Sequence, residues 1–156
     1  MEPKKKIIIV RIFWGILLTG FIFLIVDYFF SDKESAAIKE VCFNNSCFSV
    51  ELSQTQEERS FGLMGRESLD QNRGMLFIFA QEGNYGFWMK DTLIPLDIIW
   101  INSANYAVYI ARDVQPCKAD FCPTITPEES AKYVLEVNAG VSDNIGLQVG
   151  DKLTLK

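Results

Sequence analysis

The sequence predicts a mainly β fold: a compact antiparallel β-sandwich or barrel with a few short helices, preceded by one N-terminal transmembrane helix. Beyond residue 40, short apolar runs alternate with turn residues at close spacing, which is typical of antiparallel sheets. Helical signals in this part are brief. A single long apolar run stands near the N-terminus, where it predicts a membrane helix.

The first element is the apolar run Ile7–Val26, twenty residues interrupted by a single charge, Arg11. A helix of that length spans about 30 Å, the thickness of the hydrocarbon core of a bilayer. Lys4–Lys6 precede the run and the acidic stretch Asp27–Glu34 follows it. The positive-inside rule therefore places the N-terminus in the cytoplasm and residues 31–156 outside, with the membrane as a partner through residues 7–26.

This anchor divides the chain into three parts. We expect an uncleaved signal-anchor at residues 1–30, a short polar linker at 31–40 and one exported domain at 41–156, held at the outer face of the cytoplasmic membrane. A cleaved signal peptide is the alternative interpretation, but no A-x-A-like site directly follows the apolar run. Both interpretations export the domain.

Charge and composition exclude several functions for the exported part. Residues 31–156 carry eleven Lys or Arg and eighteen Asp or Glu, a net charge of −7, whereas residues 1–26 carry +3. An acidic domain lacks the basic surface that binds phosphate backbones, so we expect no nucleic-acid partner. The sequence contains no histidine, which excludes Ser-His and Cys-His catalytic pairs and His-ligated zinc. We predict no cofactor and no metal site.

The exported domain begins with a predicted hairpin that a disulfide closes. Asn44 and Asn45 can form a two-residue turn because asparagine tolerates positive φ. Cys42 then stands directly opposite Cys47, close enough to bridge. One face of the hairpin carries the apolar side chains of Val41, Phe43, Phe48 and Val50.

The second cysteine pair, Cys117 and Cys122, has the same spacing as the first and stands between two prolines. We predict a second disulfide there, closing an exposed loop, because an even cysteine count in an exported domain favours disulfides. A zinc site built from all four cysteines is the alternative. The sequence lacks the Cys-x-x-Cys spacing of a thioredoxin-like redox site.

Two short helices and six further strands complete the predicted domain. Thr55 and Glu58 have the spacing of a capping box, which predicts a helix over Glu57–Met64 that ends near Gly65. Thr126 can cap a second helix, over Pro127–Lys132. The predicted strands are Met75–Ala80, Phe87–Lys90, Asp97–Ile101, Tyr106–Ala111, Tyr133–Val137 and Leu153–Leu155.

Four side chains are candidate ligand-binding residues: Arg59, Arg66, Lys90 and Trp88. The two arginines lie seven residues apart, so they share a face if the helix continues that far. Cations on an acidic background can hold a carboxylate, phosphate or sulfate group, and Trp88 with its aromatic neighbours can form a stacking platform for a sugar. Surface ion pairs and aromatic core packing are the alternatives.

Asp97 and Glu136 are the candidate catalytic carboxylates, because each interrupts an apolar strand. Two carboxylates that project from buried strands can form the acid/base pair of a glycoside hydrolase. A buried ion pair of either acid with Arg66 or Lys90 is the alternative. A third possibility is Cu(I) handling, which requires three methionines to converge on one exposed spot: Met64, Met75 and Met89.

Seven ordered motifs give the sequence a family resemblance. They are Gly62–Arg66, Gly74–Phe79, Phe87–Thr92, Ile94–Ile101, Pro116–Cys117, Tyr133–Gly140 and Gly146–Asp151. Over about residues 48–156 the chain resembles the uncharacterised DUF192 family, also called UPF0127. The resemblance implies a single mostly β domain, often behind a signal or anchor, with no established function and no catalytic residues to transfer.

Together these observations favour a non-catalytic, membrane-tethered module that binds a small molecule or an envelope protein. An envelope hydrolase that uses Asp97 and Glu136 is the alternative. A concave pocket lined by both acids would favour the hydrolase.

Overall fold

The computed structural model describes residues 38–156. The predicted anchor at residues 1–30 and most of the predicted linker lie outside these residues. Within the described part, no helix is long and apolar enough to cross a membrane. Its elements, in chain order, are β1 (Glu40–Phe43), β2 (Ser46–Ser53), α1 (Gln56–Phe61), β3 (Arg73–Gly83), β4 (Phe87–Trp88), β5 (Leu96–Ile101), β6 (Ala107–Val114), β7 (Thr124–Ile125), β8 (Ala131–Asn138), α2 (Val141–Asn144) and β9 (Thr154–Leu155).

Seven of the strands form one curled, half-barrel sheet in the order β6-β5-β8-β3-β2-β1-β9. The two edges of this sheet approach each other where Tyr106 bridges Lys152. The remaining two strands, β4 and β7, form a small separate ladder. The mainly β prediction is therefore confirmed.

The sheet is mixed, whereas an antiparallel one was predicted. β2 and β3 run parallel, from the Ser49–Arg73 pair to the Ser53–Phe77 pair, and α1 lies in the connection between them. A parallel pair needs a crossover of about a dozen residues or more, and the long connection between these strands provides it. The other strand pairs of the sheet are antiparallel.

Both faces of the central strands are buried, and each face has its own core. On what we call the Leu135 face, Leu135 and Val137 of β8 and Ile99 of β5 pack with residues of β1, β2 and α2. On the opposite side, which we call the Trp100 face, Val134 and Met75 pack with Trp100 and the segment that carries β4. β5 is buried along its whole length, which explains why all of its residues except Asp97 are apolar.

The predicted hairpin and both disulfides are present. Cys42 pairs with Cys47 in the predicted register, and Asn44 adopts a positive φ of 51° in the turn. Both Cys42–Cys47 and Cys117–Cys122 are at bonding distance, and no cysteine of the described part is free. The zinc alternative is therefore wrong, since all four cysteines of the sequence are paired.

The first predicted helix is confirmed and the second is wrong. α1 is shorter than predicted, and its N-terminus carries the complete capping box of Thr55 and Glu58. No helix forms over 127–132, because β8 already begins at Ala131 and too few residues remain to nucleate one. The side-chain amide of Asn84 donates instead to the main-chain carbonyl of Pro127, at 3.0 Å.

Candidate functional site

Two adjoining depressions open on the Trp100 face and share four lining residues, Arg59, Ser60, Phe87 and Trp88. We call them together the Trp88 cleft. The inner part has a volume of about 20 Å³ and the outer part about 260 Å³. The inner part is also lined by Phe61, Gly62, Leu63, Met64, Phe77, Thr92 and Glu136, and the outer part by Gln56, Phe79, Tyr85 and Gly86.

One wall of the cleft is α1 with the turn that follows it. The capping box fixes the start of α1, because the Thr55 side chain accepts from the Glu58 N–H while the Glu58 carboxylate accepts from the Thr55 N–H at 2.9 Å. The helix ends at Gly62, whose φ is 50° and where a β-carbon would lie 3.3 Å from the Phe77 ring. Glycine adopts this conformation without the steric cost that a β-carbon would bring.

Arg59 projects from α1 onto an aromatic stack. Its guanidinium lies 4.9 Å from the centroid of the Phe79 ring, and Phe79 stacks on Tyr85 with 3.5 Å between ring centroids. One guanidinium nitrogen, Nη1, donates to the main-chain carbonyls of Gln54 and Ile78. The positive charge is therefore held at the cleft by the helix, the ring and the backbone.

The other wall is β4, whose two side chains point in opposite directions. Phe87 is buried and meets Phe77 edge-on at 4.8 Å and Trp100 edge-on at 5.6 Å. Trp88 is 49% exposed, so about half of a large aromatic side chain faces solvent at the rim of the cleft. The disulfide loop holds the end of this wall, because Cys117 donates its N–H to Met89 O and Asp91 donates its N–H to Cys117 O.

Glu136 forms the floor of the inner part. The register places it beside Met75 of β3 and Ile98 of β5, so its side chain points to the Trp100 face from the middle of the sheet. It is 4% exposed, and no hydrogen bond from residues 38–156 reaches its carboxyl. Burial alone raises the pKa of Glu136 to about 8, so the carboxyl is neutral and carries a proton at pH 7.

Asp97 has a different environment from Glu136. It is fully buried, and its carboxylate accepts from the Ser142 N–H at 2.8 Å, the Ser142 hydroxyl at 2.7 Å and the Asp113 N–H at 2.9 Å. Asp113, which has a φ of 48°, lies where the β5–β6 register shifts. Asp97 therefore joins β5 to the end of β6 and to the start of α2. Its hydrogen-bond donors are neutral, whereas the alternative raised from the sequence was a buried ion pair with Arg66 or Lys90.

The structure does not bring the two candidate catalytic carboxylates together. Asp97 pairs with Val137 and shares the Leu135 face with it, whereas Glu136 faces the opposite side of the sheet. Two carboxyl groups on opposite faces cannot flank one glycosidic bond. The prediction failed because both faces of β5 and β8 are buried. Their sequences therefore lack the alternation of polar and apolar residues that would assign each side chain to one face of the sheet.

The four candidate ligand-binding residues separate into two groups. Arg59 and Trp88 line the Trp88 cleft. Arg66 instead makes two contacts with the Glu51 carboxylate, at 2.5 and 3.2 Å, and its hydrogen bond lowers the pKa of Glu51. Lys90 is half-buried in a bridge to Cys117 and is not among the lining residues of the cleft.

Cu(I) handling, the third possibility raised from the sequence, requires an exposed cluster of methionines, and two of the three are buried. Met75 and Met89 lie in the core of the Trp100 face, with 7% and 3% of their surface exposed. Met64 alone lines the cleft. The three do not converge on an exposed spot.

Sequence reasoning did not select Phe61, Tyr85 or Phe79 for the site. Phe61 is 64% exposed at the end of α1, although a phenylalanine in a helix is usually a core residue. The available signal was the position of Arg59 and Phe61, four and six residues after the capping residue Thr55. This position places both side chains near the end of α1, which is too short to bury them.

Comparisons with known proteins support the fold but carry no activity. A family model, DUF192, described as an uncharacterized ACR, matches residues 39–155. No curated protein matches the sequence. Two crystal structures do match it: a protein described as a candidate transcription regulator from Sinorhizobium meliloti 1021, and a protein of unknown function from Novosphingobium aromaticivorans.

The two matches are of similar quality. The Sinorhizobium protein is 31% identical, with a TM-score of 0.68, and the alignment covers 74% of this chain and 90% of that one. The Novosphingobium protein is 29% identical, with a TM-score of 0.70, over 79% of this chain and 89% of that one.

Proposed function

The chain belongs to the DUF192 family, and from this premise we propose that it is a membrane-tethered, extracytoplasmic module that binds a small ligand in the Trp88 cleft. The cleft combines a concave apolar surface with few polar groups, which is the usual composition of a ligand site. Its ionisable polar groups are Arg59 at the rim and Glu136 at the floor, and Gln56, Ser60 and Thr92 are its uncharged polar side chains.

The observation that carries the proposal is the unpartnered carboxyl of Glu136 beneath a half-exposed tryptophan. A buried polar group without a partner costs free energy, so a protein that retains one commonly uses it. A strongly raised pKa in a cleft is a further mark of a functional site. Trp88 adds an exposed apolar surface beside it, and exposed aromatic surface of this kind is typical of binding sites.

The membrane tether and the compartment rest on the sequence together with the disulfides. The apolar run Ile7–Val26 behind Lys4–Lys6 favours an anchor with its N-terminus in the cytoplasm. Disulfides persist in oxidising compartments, and the pairs Cys42–Cys47 and Cys117–Cys122 support an exported domain. The net charge of −7 over residues 31–156 argues against nucleic acid as the ligand.

Binding is favoured over hydrolysis because Glu136 is the single carboxyl among the described residues that line the cleft. A glycoside hydrolase of the common type needs two, and Asp97 lies on the other face of the sheet. Glu136 alone can donate a hydrogen bond but lacks a second acid to act as nucleophile or base. We therefore keep one function for the cleft.

The test is a ligand screen on the full-length chain in detergent, with melting temperature and tryptophan fluorescence as readouts. A Trp14→Phe background leaves buried Trp100 and exposed Trp88 as emitters. We expect at least one small neutral or anionic compound to raise the melting temperature and to change the emission, since a ligand that binds only the folded state stabilises it.

Trp88→Ala should abolish that stabilisation. Phe121→Ala is the matched control, because it removes another exposed aromatic, 88% exposed, that does not line the Trp88 cleft. Equal losses in the two variants, or the absence of any stabilising compound, would contradict the proposal.

A further inference from the structure

We infer that the Trp88 cleft takes a single sugar-sized ring bearing a carboxylate, with the ring against Trp88, the carboxylate on Arg59, and an oxygen of the ligand accepting a hydrogen bond from the Glu136 carboxyl. This inference rests on the proposed function and names the ligand class for the same site.

The dimensions of the cleft fit one ring. The outer part, about 260 Å³, is below the range of about 300 to 1,000 Å³ that holds drug-sized ligands. The inner part, about 20 Å³, is close to the smallest space that holds one water molecule. A ring in the outer part can therefore project one oxygen-sized group into the inner part, and no larger group.

The floor of the inner part favours an acceptor from the ligand. The carboxyl of Glu136 has no hydrogen-bond partner among residues 38–156, and its oxygens are not fully buried, so they reach the inner part of the cleft. The Ser60 hydroxyl, which lines the same space, is already engaged with Gln56 O at 2.8 Å. The neutral carboxyl therefore offers a donor that the protein itself does not use.

The charge at the rim favours an anion. Residues 38–156 contain four arginines, and three of them lie within ion-pair distance of a carboxylate: Arg66, Arg73 and Arg112. Arg59 has no such partner in this part of the chain, and its side-chain hydrogen bonds there all run from Nη1 to main-chain carbonyls. Its remaining N–H groups can bind a ligand carboxylate, a charge-assisted contact.

The aromatic rim favours a ring with an apolar face. Trp88 presents half of its surface to solvent, and Phe61 at the facing end of α1 presents 64%. Sugars stack on such surfaces through their C–H faces, which buries apolar area without unpairing their hydroxyls. A cationic ring is disfavoured, because Arg59 would repel it and Glu136 is neutral.

The experiment titrates three sugars with the same ring but different charge into the full-length Trp14→Phe chain in detergent at pH 6.5. They are glucuronate, glucose and glucosamine. We expect glucuronate to bind at least tenfold more tightly than glucose, and glucosamine to bind most weakly. Arg59→Gln should weaken glucuronate about ten- to hundredfold, which is the range for loss of a charge-assisted contact, and should bring it to the level of glucose.

Two variants at the floor separate a binding role from a structural one. Glu136→Gln keeps a donor and should bind glucuronate within about threefold of the wild type, whereas Glu136→Leu keeps the volume without a donor and should lose about tenfold. Melting curves identify any variant that has not folded; if Glu136→Leu does not fold, Arg59→Gln and the ratio of glucuronate to glucose affinity carry the test. Equal affinity for glucose and glucuronate, or unchanged binding in Glu136→Leu, would overturn the inference.

The outcomes also distinguish this inference from the proposed function. If glucuronate fails but another compound binds and depends on Trp88, the ligand class is wrong and the binding function stands. If no compound of any class binds, both are wrong.

Discussion

Glu136 stands alone on a strand position where its neighbours are apolar. Met75 and Ile98 flank it in the sheet, and Leu63 and Phe77 close the space above it. Desolvation therefore acts on its charged form without a compensating cation or donor, which is why its pKa rises to about 8. A folded state that must keep this proton loses stability as the solution becomes more basic.

The pH dependence of stability follows from that pKa. Below pH 4.5, the ordinary value, both the folded and the unfolded states hold the proton and Glu136 has no effect. Between 4.5 and about 8 the unfolded state releases the proton while the folded state keeps it, so the free energy of unfolding falls as pH rises. At pH 8 the penalty reaches a few kcal/mol, with about 5 kcal/mol as the upper bound.

Replacing Glu136 by glutamine removes this penalty. We expect Glu136→Gln to be more stable than the wild type at pH 8 and equally stable near pH 4.5, as measured by urea midpoints across that range. Glu129→Gln changes an exposed acid and is the control, for which we expect no such divergence. Parallel pH curves for Glu136→Gln and wild type would show that Glu136 has an ordinary pKa.

Asp97 is the structural counterpart of Glu136, since three neutral donors satisfy its buried carboxylate. We expect Asp97→Ala to lower the free energy of unfolding by about 3 kcal/mol or more, because it leaves those donors without an acceptor. Ser142→Ala removes one hydroxyl donor and should cost about 1 kcal/mol. Denaturant titration measures both, and an Asp97→Ala cost no greater than that of Ser142→Ala would contradict the structural role.

At the scale of elements, the correct predictions concern features that depend on residues close together in the sequence. The Cys42–Cys47 hairpin and the Thr55 capping box each depend on residues within one turn or one hairpin, and both form as expected. The helix expected at 127–132 fails because a contact with Asn84, more than forty residues away in sequence, and the start of β8 decide that segment. β7 is only two residues long and owes its pairing to β4, so no local pattern indicates it.

The two disulfides form a natural comparison at this scale. Each closes a loop with a sequence separation of 5, so chain entropy predicts an equal stabilisation of about 2 kcal/mol. They differ in the part of the structure that they hold. Cys42–Cys47 links the two strands of the β1–β2 hairpin, whereas Cys117 makes main-chain hydrogen bonds with Met89 and Asp91 beside Trp88.

We therefore expect Cys42→Ser/Cys47→Ser and Cys117→Ser/Cys122→Ser to lower the melting temperature by similar amounts. Amide hydrogen exchange should separate them, because only loss of the Cys117–Cys122 bridge should speed exchange over residues 87–92. Faster exchange at 87–92 in both double variants, or in neither, would show that the disulfide loop does not hold the wall of the Trp88 cleft.

At the scale of the whole molecule, the proposed binding site is assembled from distant parts of the chain. Arg59 comes from α1, Trp88 from β4 and Glu136 from β8, and only the sheet order brings β8 beneath the other two. The sequence could select these residues by type. It could not separate Glu136 from Asp97, because their faces follow from the register of strands buried on both sides.

Orientation across the membrane is the remaining property of the whole chain that the sequence predicts. All four cysteines are in disulfides, so a single introduced cysteine gives a unique thiol for a membrane-impermeant maleimide. Ala104→Cys places it on an exposed turn between β5 and β6, and Lys5→Cys places it before the apolar run. In intact cells we expect Ala104→Cys to be labelled and Lys5→Cys to be labelled only after lysis, since the positive-inside rule keeps the lysine cluster in the cytoplasm. Labelling of Ala104→Cys only after lysis would place the domain, and with it the Trp88 cleft, on the cytoplasmic side.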